Sequence, residues 1–133
     1  MHGGLRLWVG DLNRVLRDHK ALHELDFDPA GFSWIDVNDA ENSVVSLIRR
    51  GRSPSDVVVA AFNFTPVPRQ NYQIGIPAAG RWLEMLNSDA PAYGGSGQGN
   101  LGGVEAVPVG MHGHLHSVTL TLPPLAALFL KRA

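Results

Sequence analysis

The run from Val57 to Pro68, VVVAAFNFTPVP, constrains the fold of this chain more than any other stretch. Its valines and phenylalanines are β-branched or aromatic, and such side chains pack well on a pleated sheet. Both alternating faces are apolar as far as Phe62, which is typical of an inner strand buried on both sides. Pro66 and Pro68 end the run, because proline cannot donate a hydrogen bond to a neighbouring strand. The sequence therefore predicts a central buried strand with shorter elements packed around it.

Composition excludes several classes of function. The 133 residues carry a formal net charge of −1 and include no cysteine. Nucleic-acid binding is not expected, because neutralising phosphates requires clustered Lys and Arg. Disulfides, thiol catalysis and zinc–thiolate sites are excluded. No apolar run is long enough to cross a membrane, and Met1 is followed by no signal-peptide hydrophobic region, so we expect a cytoplasmic protein with no membrane partner.

The remaining sequence predicts one helix followed by short strands. Residues 5–22 have apolar side chains at three- and four-residue steps, as on one face of a helix. From residue 25 the apolar period shortens to two and turn signatures recur. Strands are predicted at Phe32–Val37, Ser43–Arg50, Gln70–Ile76, Arg81–Leu86, Val104–Val109, His116–Leu122 and Ala126–Leu130. We predict an all-β fold, an antiparallel Greek-key-type β-sandwich of about eight strands preceded by one N-terminal amphipathic α-helix.

Four strings in the chain resemble one enzyme family. They are ALHELDFDPAGFSWIDVNDAENSVVSLIRRG, NFTPVPR, RWLEMLNSDAPAYGGSG and HSVTLTLPPLAALFL. Together they make most of the chain resemble the C-terminal region of bacterial 1,4-α-glucan (glycogen) branching enzymes, which are α-amylase-type enzymes. Such an enzyme cuts an α-1,4-glucan and rejoins the piece through an α-1,6 bond by a retaining double displacement. The resemblance thus implies a role in glycogen biosynthesis, with α-glucan as a partner.

The resemblance also implies how the chain is divided. Residues 1–24 would be the terminal helix of the family's catalytic (β/α)8 barrel, and residues 25–133 the C-terminal β-sandwich domain. The family's catalytic aspartate and glutamate lie in the barrel, so no residue here inherits a catalytic role and the chain alone is expected to be inactive. The barrel is the implied protein partner. The helix residues expected to face it are Leu5, Trp8, Leu12 and Leu16.

Three residues are candidates for carbohydrate contact. An aromatic ring can stack on the C–H face of a sugar, and Trp34 has polar neighbours, among them Asp36, that could bond sugar hydroxyls. Core packing or a domain interface is the alternative for Trp34. Tyr93 lies in the Gly-rich loop of residues 87–103 and is a second candidate platform, although a tethering role is favoured. Asp36, Asp39 and Glu41 cluster at a predicted hairpin turn, but a lone hairpin builds no enclosed cleft for catalysis.

Two further patterns resemble ligand motifs without the context that such motifs need. Residues 97–102 match G-x-G-x-x-G. No strand precedes them directly and no helix follows, so we interpret them as a flexible loop and expect no dinucleotide. His112, His114 and His116 alternate and could offer three imidazoles to zinc. Gly113 favours a turn instead, and we expect neither a metal nor any other cofactor.

Two other functions stay open at this level. One is a free-standing α-glucan-binding β-sandwich that uses Trp34 and Tyr93 as platforms. The other is a structural module that self-associates through the apolar face of its N-terminal helix, because an exposed apolar face of that size favours association.

Overall fold

The computed structural model of the chain describes residues 2–133 and begins with one helix. Helix α1 spans His2–Asp18. The predicted helix end at Leu22 is wrong, because His19 adopts an extended backbone (φ −115°, ψ 107°) and Lys20–Leu22 form a separate 3-10 turn. The ring Nδ1 of His19 lies 3.0 Å from the Val15 carbonyl oxygen and closes the last helical turn. The apolar period of the sequence therefore runs past the point where the backbone leaves the helix.

Eight strands follow the helix and form two antiparallel sheets. The strands are Phe32–Asp39 (β1), Val44–Arg50 (β2), Val57–Asn63 (β3), Arg69–Ile76 (β4), Arg81–Asn87 (β5), Gly103–Glu105 (β6), His116–Leu122 (β7) and Ala126–Arg132 (β8). One sheet has six strands in the order β1-β2-β3-β8-β5-β6, and the other pairs β4 with β7. The chain crosses repeatedly between the sheets, which confirms the predicted antiparallel sandwich.

Strand β3 is the inner strand that the sequence predicts. It pairs with β2 on one side and β8 on the other. Its regular part ends at Asn63, before the prolines, because the buried Asn63 side chain turns the following residues back on themselves. The Asn63 amide donates to the carbonyls of Val67 (2.9 Å) and Pro123 (3.0 Å), and its oxygen accepts from the Thr65 N–H (3.0 Å).

The core lies between the two sheets. Trp82 of β5 is fully buried at its centre, and its indole N–H donates to the Ala78 carbonyl at 3.1 Å. The six-stranded sheet contributes Ile48, Val59, Leu128 and Leu130, and the smaller sheet contributes Ile74, Ile76, Val118, Leu120 and Leu122. Burying each such side chain is worth about 1.5–3 kcal/mol, so this layer dominates the stability of the fold.

The predicted strand at residues 104–109 is shorter in the structure. Strand β6 ends at Glu105, and beyond it only an isolated bridge joins Val107 to Ser117. Pro108 follows that bridge and has no N–H to continue the pairing.

Helix α1 and the 3-10 turn lie on the outer face of the six-stranded sheet, away from β4 and β7. Val58 and Ala60 alternate with the core residues of β3, so they point to this outer face, yet both are buried. Val15 is buried on the helix side, and Trp8 lines a groove with Phe62. Within residues 2–133 no helix has the length and apolar content needed to cross a bilayer.

A second apolar stripe of α1 faces solvent. Leu5, Val9 and Leu16 are 61%, 47% and 48% exposed. Their spacing of four and seven residues places them along one line of the helix, beside the buried face. We call these three residues the α1 stripe. It is an apolar surface that the described part of the chain leaves uncovered.

Candidate functional site

Trp34 lies on the outer face of the edge strand β1 and is 54% exposed. Trp34 lies opposite Leu47 of the neighbouring strand β2. Ser46 and Ile48, on either side of Leu47, point into the core, so Leu47 and Trp34 point away from it. Phe32 stands edge-to-face against the Trp34 ring, with the ring centroids 4.9 Å apart. We call these two rings the aromatic pair. It leaves an accessible ring surface of the kind that sugars stack on.

Asp36 is separated from Trp34 by an irregularity in β1. The pairing register shifts between the two residues, so Trp34 lies opposite Leu47 and Asp36 opposite the buried Ser46. A regular strand would place residues two apart on one face, and this β-bulge turns Asp36 away from the Trp34 face. The Asp36 carboxylate accepts from the Asn38 N–H (2.9 Å) and lies 3.4 Å from His112 Nε2. The structure therefore does not bring Trp34 and Asp36 together as one sugar site.

Asp39 ends the same strand and bonds to a tyrosine of the other sheet. The Tyr72 hydroxyl donates to Asp39, and the Asn42 side chain donates to both of its carboxylate oxygens at 3.1 Å. The hydrogen bond from Tyr72 is the main reason that the pKa of Asp39 is lowered. Burial, followed by that hydrogen bond, raises the pKa of Tyr72. A glycosidase acid needs a raised carboxyl pKa, so Asp39 is unsuited to that role.

Tyr93 lies in the loop after β5 and holds helix α1. Its ring packs edge-to-face on Trp8 with centroids 5.0 Å apart, and its hydroxyl donates to Asp11. Burial and the bond to Asp11 raise the pKa of Tyr93 to about 12. A methyl group on Gly4 would come within 2.6 Å of the Tyr93 carbonyl oxygen, so the helix approaches the loop backbone very closely. These contacts give Tyr93 a tethering role.

Trp34 and Tyr93 do not share a site. Strands β1 and β5 are four steps apart in the six-stranded sheet, which at ~4.8 Å a step is roughly 19 Å. Trp8, one of the four helix residues expected to face a barrel, contacts Tyr93 within this chain.

The three histidines do not lie on one strand. His112 has a left-handed backbone (φ 52°) in a turn, His114 forms an isolated bridge with Met111, and His116 begins β7. The structure thus has the turn that Gly113 predicts. Burial and then the charge of Arg50 lower the pKa of His114. Among the described side chains, those of residues 3–133, no three His, Asp or Glu groups are arranged to hold a metal ion.

The Gly-rich loop is organised by a buried carboxylate, which the prediction of a flexible loop missed. Asp89 is 8% exposed, and its carboxylate accepts from the Ser96 N–H (3.0 Å), the Ser96 hydroxyl (2.5 Å) and the Gln98 N–H (3.0 Å). The available signal was Asn87-Ser-Asp89, an Asx turn in which Asn87 Oδ1 accepts from the Asp89 N–H at 2.9 Å.

Asn100, near the C-terminal end of this loop, forms hydrogen bonds with strands of both sheets. It exchanges two hydrogen bonds with the backbone of Thr121 in β7, at 2.8 and 3.1 Å. Its backbone N–H and side-chain amide also donate to Glu84 of β5, at 3.0 and 3.1 Å. The residues that match G-x-G-x-x-G therefore form a fixed connection between the sheets, with no helix N-terminus to hold a pyrophosphate.

The sequence of the β-sandwich, including the Gly-rich loop, matches a known domain family. Residues 34–133, from the middle of β1 onward, match the family model described as alpha amylase, C-terminal all-beta domain. The chain belongs to this family. Helix α1 lies outside the matched residues.

Known members of similar sequence confirm the resemblance that the four strings indicate. This chain is 66% identical over 129 residues to the 1,4-alpha-glucan branching enzyme GlgB of Aromatoleum aromaticum; the match covers 97% of this chain and 20% of that protein. The GlgB proteins of Albidiferax ferrireducens and Aquifex aeolicus are 53% and 50% identical, each over 98% of this chain and 21% of their own length. The chain thus spans about a fifth of these relatives.

Proposed function

We propose that this chain is the C-terminal domain of a 1,4-α-glucan branching enzyme, an enzyme of glycogen biosynthesis that works in the cytoplasm. The observation that carries the proposal is the 66% identity to the Aromatoleum GlgB over 97% of the chain. The catalytic carboxylates belong to the rest of such an enzyme. Retaining chemistry needs two carboxyl groups about 5 Å apart across a bound sugar, and Asp39, with its lowered pKa, is engaged by Tyr72 instead.

The main role of the domain is to support the catalytic barrel. Residues 1–24 continue the last helix of that barrel, and the α1 stripe is the surface that meets it. Two observations support this assignment: one face of α1 is already fixed to the sandwich through Val15 and Tyr93, and the stripe beside it is apolar and exposed. Covering the stripe would remove three apolar side chains from water, and such burial stabilises an interface by about 25 cal/mol per Å² of apolar area.

A second role is contact with the glucan through the aromatic pair. Trp34 is the residue best placed for it, because its ring is exposed on an edge strand beside Phe32. Asp36 and Tyr93 remain predicted carbohydrate contacts. Each would have to give up an existing partner, His112 for Asp36 and Asp11 for Tyr93, so we expect smaller contributions from them.

Activity assays on amylose test the proposal. One sample is the chain alone; the other is a chimera in which the chain replaces the matching C-terminal fifth of the Aromatoleum enzyme. We expect no branching by the chain alone and activity within about threefold of the parent for the chimera. Branching by the chain alone, or a folded chimera without activity, would contradict the proposal.

The alternative of a free-standing glucan-binding module is favoured by one observation, the exposed aromatic pair, and is tested separately. In affinity electrophoresis with glycogen, Trp34→Ala should weaken retention about fivefold or more. Phe27→Ala is the matched control, because Phe27 is a fully exposed aromatic residue outside the strands. Equal retention of wild type and Trp34→Ala would show that the aromatic pair does not contact glucan.

A further inference from the structure

One end of the sandwich holds an open cavity that the proposed function does not use. It lies where the turn between β2 and β3, the turn between β4 and β5, and the end of β8 meet, and its volume is about 520 Å³. This size is within the range of small-molecule sites, roughly 300–1,000 Å³. The side chains of Leu25, Ala30, Pro54, Val57, Pro77 and Ala78 form an apolar floor.

Three arginines surround this floor. Arg50 ends β2, Arg52 follows in the turn, and Arg132 ends β8, so strand pairing brings together residues 82 positions apart in sequence. In the described part of the chain, none of them lies within ion-pair distance of a carboxylate; the ion pairs found there use other basic residues. A hydrogen bond orients the Arg50 side chain, because its Nη1 donates to the Ser33 hydroxyl at 2.8 Å.

The carboxylates of Glu24 and Asp56 lie close to Gly51 but are not among the residues that line the cavity. A methyl group on Gly51 would sit 3.0 Å from Glu24 Oε1 and 3.3 Å from Asp56 Oδ2. Glu24 Oε1 also accepts from the Arg52 backbone N–H at 2.6 Å. The Glu24 carboxylate therefore holds the turn through its backbone, and among the described residues the three arginines are the only charged side chains that line the cavity.

We propose that this cavity binds a sugar phosphate. Guanidinium groups stay charged at all physiological pH values, and their planar fork matches a phosphate oxygen pair. The apolar floor suits the C–H face of a pyranose ring. The ligand class is thus a phosphomonoester on a pyranose, either as a free hexose phosphate or as a phosphate ester on a glucan chain. This inference does not rest on the proposed function, because binding needs only this chain.

Binding is measured by titrating the isotope-labelled chain and following backbone amide shifts by NMR. Glucose 6-phosphate should shift the amides of Gly51, Arg52 and Ala78 with saturation, and inorganic phosphate should bind at least fivefold more weakly. Glucose should leave these amides unchanged. No saturable shift with glucose 6-phosphate, or equal binding of inorganic phosphate, would overturn the proposal.

The double variant Arg52→Gln/Arg132→Gln separates a site from general charge attraction. Both side chains are exposed, so the fold should survive, and affinity should fall at least tenfold. The matched control Arg6→Gln/Arg14→Gln removes the same charge from exposed positions of α1 and should change affinity less than twofold. Equal losses in the two double variants would refute a site in this cavity.

Glu24→Gln should strengthen sugar phosphate binding, whereas the arginine double variant should weaken it. Glutamine keeps an acceptor for the Arg52 N–H while removing a negative charge beside the cavity, so affinity should rise two- to threefold. An unchanged or lower affinity would contradict the placement of the ligand.

The two ligand sources are distinguished with a phosphorylated glucan and the same glucan after phosphatase treatment. If the cavity takes a phosphate ester on a glucan, only the phosphorylated polymer shifts the cavity amides; if it takes the free hexose phosphate, neither polymer does. Equal shifts from both polymers would mean that the phosphate is not recognised, and would overturn the proposal.

Discussion

Strand β3 and the loop of residues 88–102 are both fixed parts of this domain, but different forces fix them. The strand is buried by apolar side chains on both faces and pairs along its whole length. The loop contains five glycines and few apolar side chains, and it is held by the buried polar groups of Asp89 and Asn100. An apolar contact tolerates small displacements, whereas a hydrogen bond requires a partner within ~3 Å and the right direction.

This difference predicts how a substitution in each region lowers the stability of the domain. In the core, the loss of a large side chain leaves a cavity, and the cost grows with its volume. In the loop, the loss of one carboxylate leaves buried donors unpaired, and the cost depends on how many donors it served.

Trp82→Ala should destabilise the domain by about 4 kcal/mol, because it removes the largest fully buried side chain. The Ala78 carbonyl also loses its donor. Urea unfolding measures the change. Trp34→Ala is the control, since the exposed Trp34 ring should contribute no more than about 0.5 kcal/mol. Similar costs for the two tryptophans would contradict the assignment of Trp82 to the core and Trp34 to the surface.

Asp89→Ala should cost about 2–3 kcal/mol, because it leaves the backbone N–H groups of Ser96 and Gln98 without an acceptor. Hydrogen exchange at these two amides should speed up, while the amides of β3 stay protected. Asp28→Ala is the matched control: Asp28 accepts one bond, from the Ala30 N–H, in an exposed turn and should cost less than about 1 kcal/mol. A loss at Asp89 no greater than at Asp28 would show that the loop does not depend on its buried carboxylate.

Tyr72→Phe should cost about 1 kcal/mol near pH 7, because it removes the hydrogen bond to Asp39 that joins the two sheets. The pKa of Asp39 is below its ordinary value of 3.8, so its contribution to stability is present above that pH and is lost as the pH falls through the folded-state pKa. The pKa of Tyr72 is raised, so its contribution is present below the ordinary value of 10.0 and is lost as the pH rises above it.

The difference in unfolding free energy between wild type and Tyr72→Phe should therefore shrink below about pH 4 and above about pH 10. Urea unfolding of both proteins across this range measures it. A difference that stays constant down to pH 2 would mean that the ionised form of Asp39 is not what Tyr72 stabilises.

The same contrast explains which features the sequence could predict. The continuous apolar run from Val57 to Phe62 and the alternation of His116 to Leu122 follow from the geometry of one strand, so both were predictable. The bulge that separates Trp34 from Asp36 was not, because it depends on the register against β2. The end of α1 at Asp18 depends on the backbone of a single residue, His19.

The candidate sites were harder to predict than the core. The partners of Asp89 and Tyr93 lie 7 to 82 positions away in the sequence, and although an Asx turn marks Asp89 itself, no local pattern identifies these partners. The arginine cavity likewise needs β2 and β8 to end at the same side of the sheet, although β3 lies between them. Long-range polar contacts of this kind become visible only when the topology is known.

The branching activity and thermal stability of the chimeric enzyme with an altered α1 stripe test whether this domain supports the catalytic barrel. Val9→Asp/Leu16→Asp places charges on the surface that we assign to the barrel interface. Leu7→Asp is the control, because Leu7 is an equally exposed leucine on another face of the same helix. We predict a loss of activity of tenfold or more and a lower melting temperature for the double variant, with little change for Leu7→Asp. Full activity in the double variant would contradict the claim that this domain supports the catalytic barrel through α1.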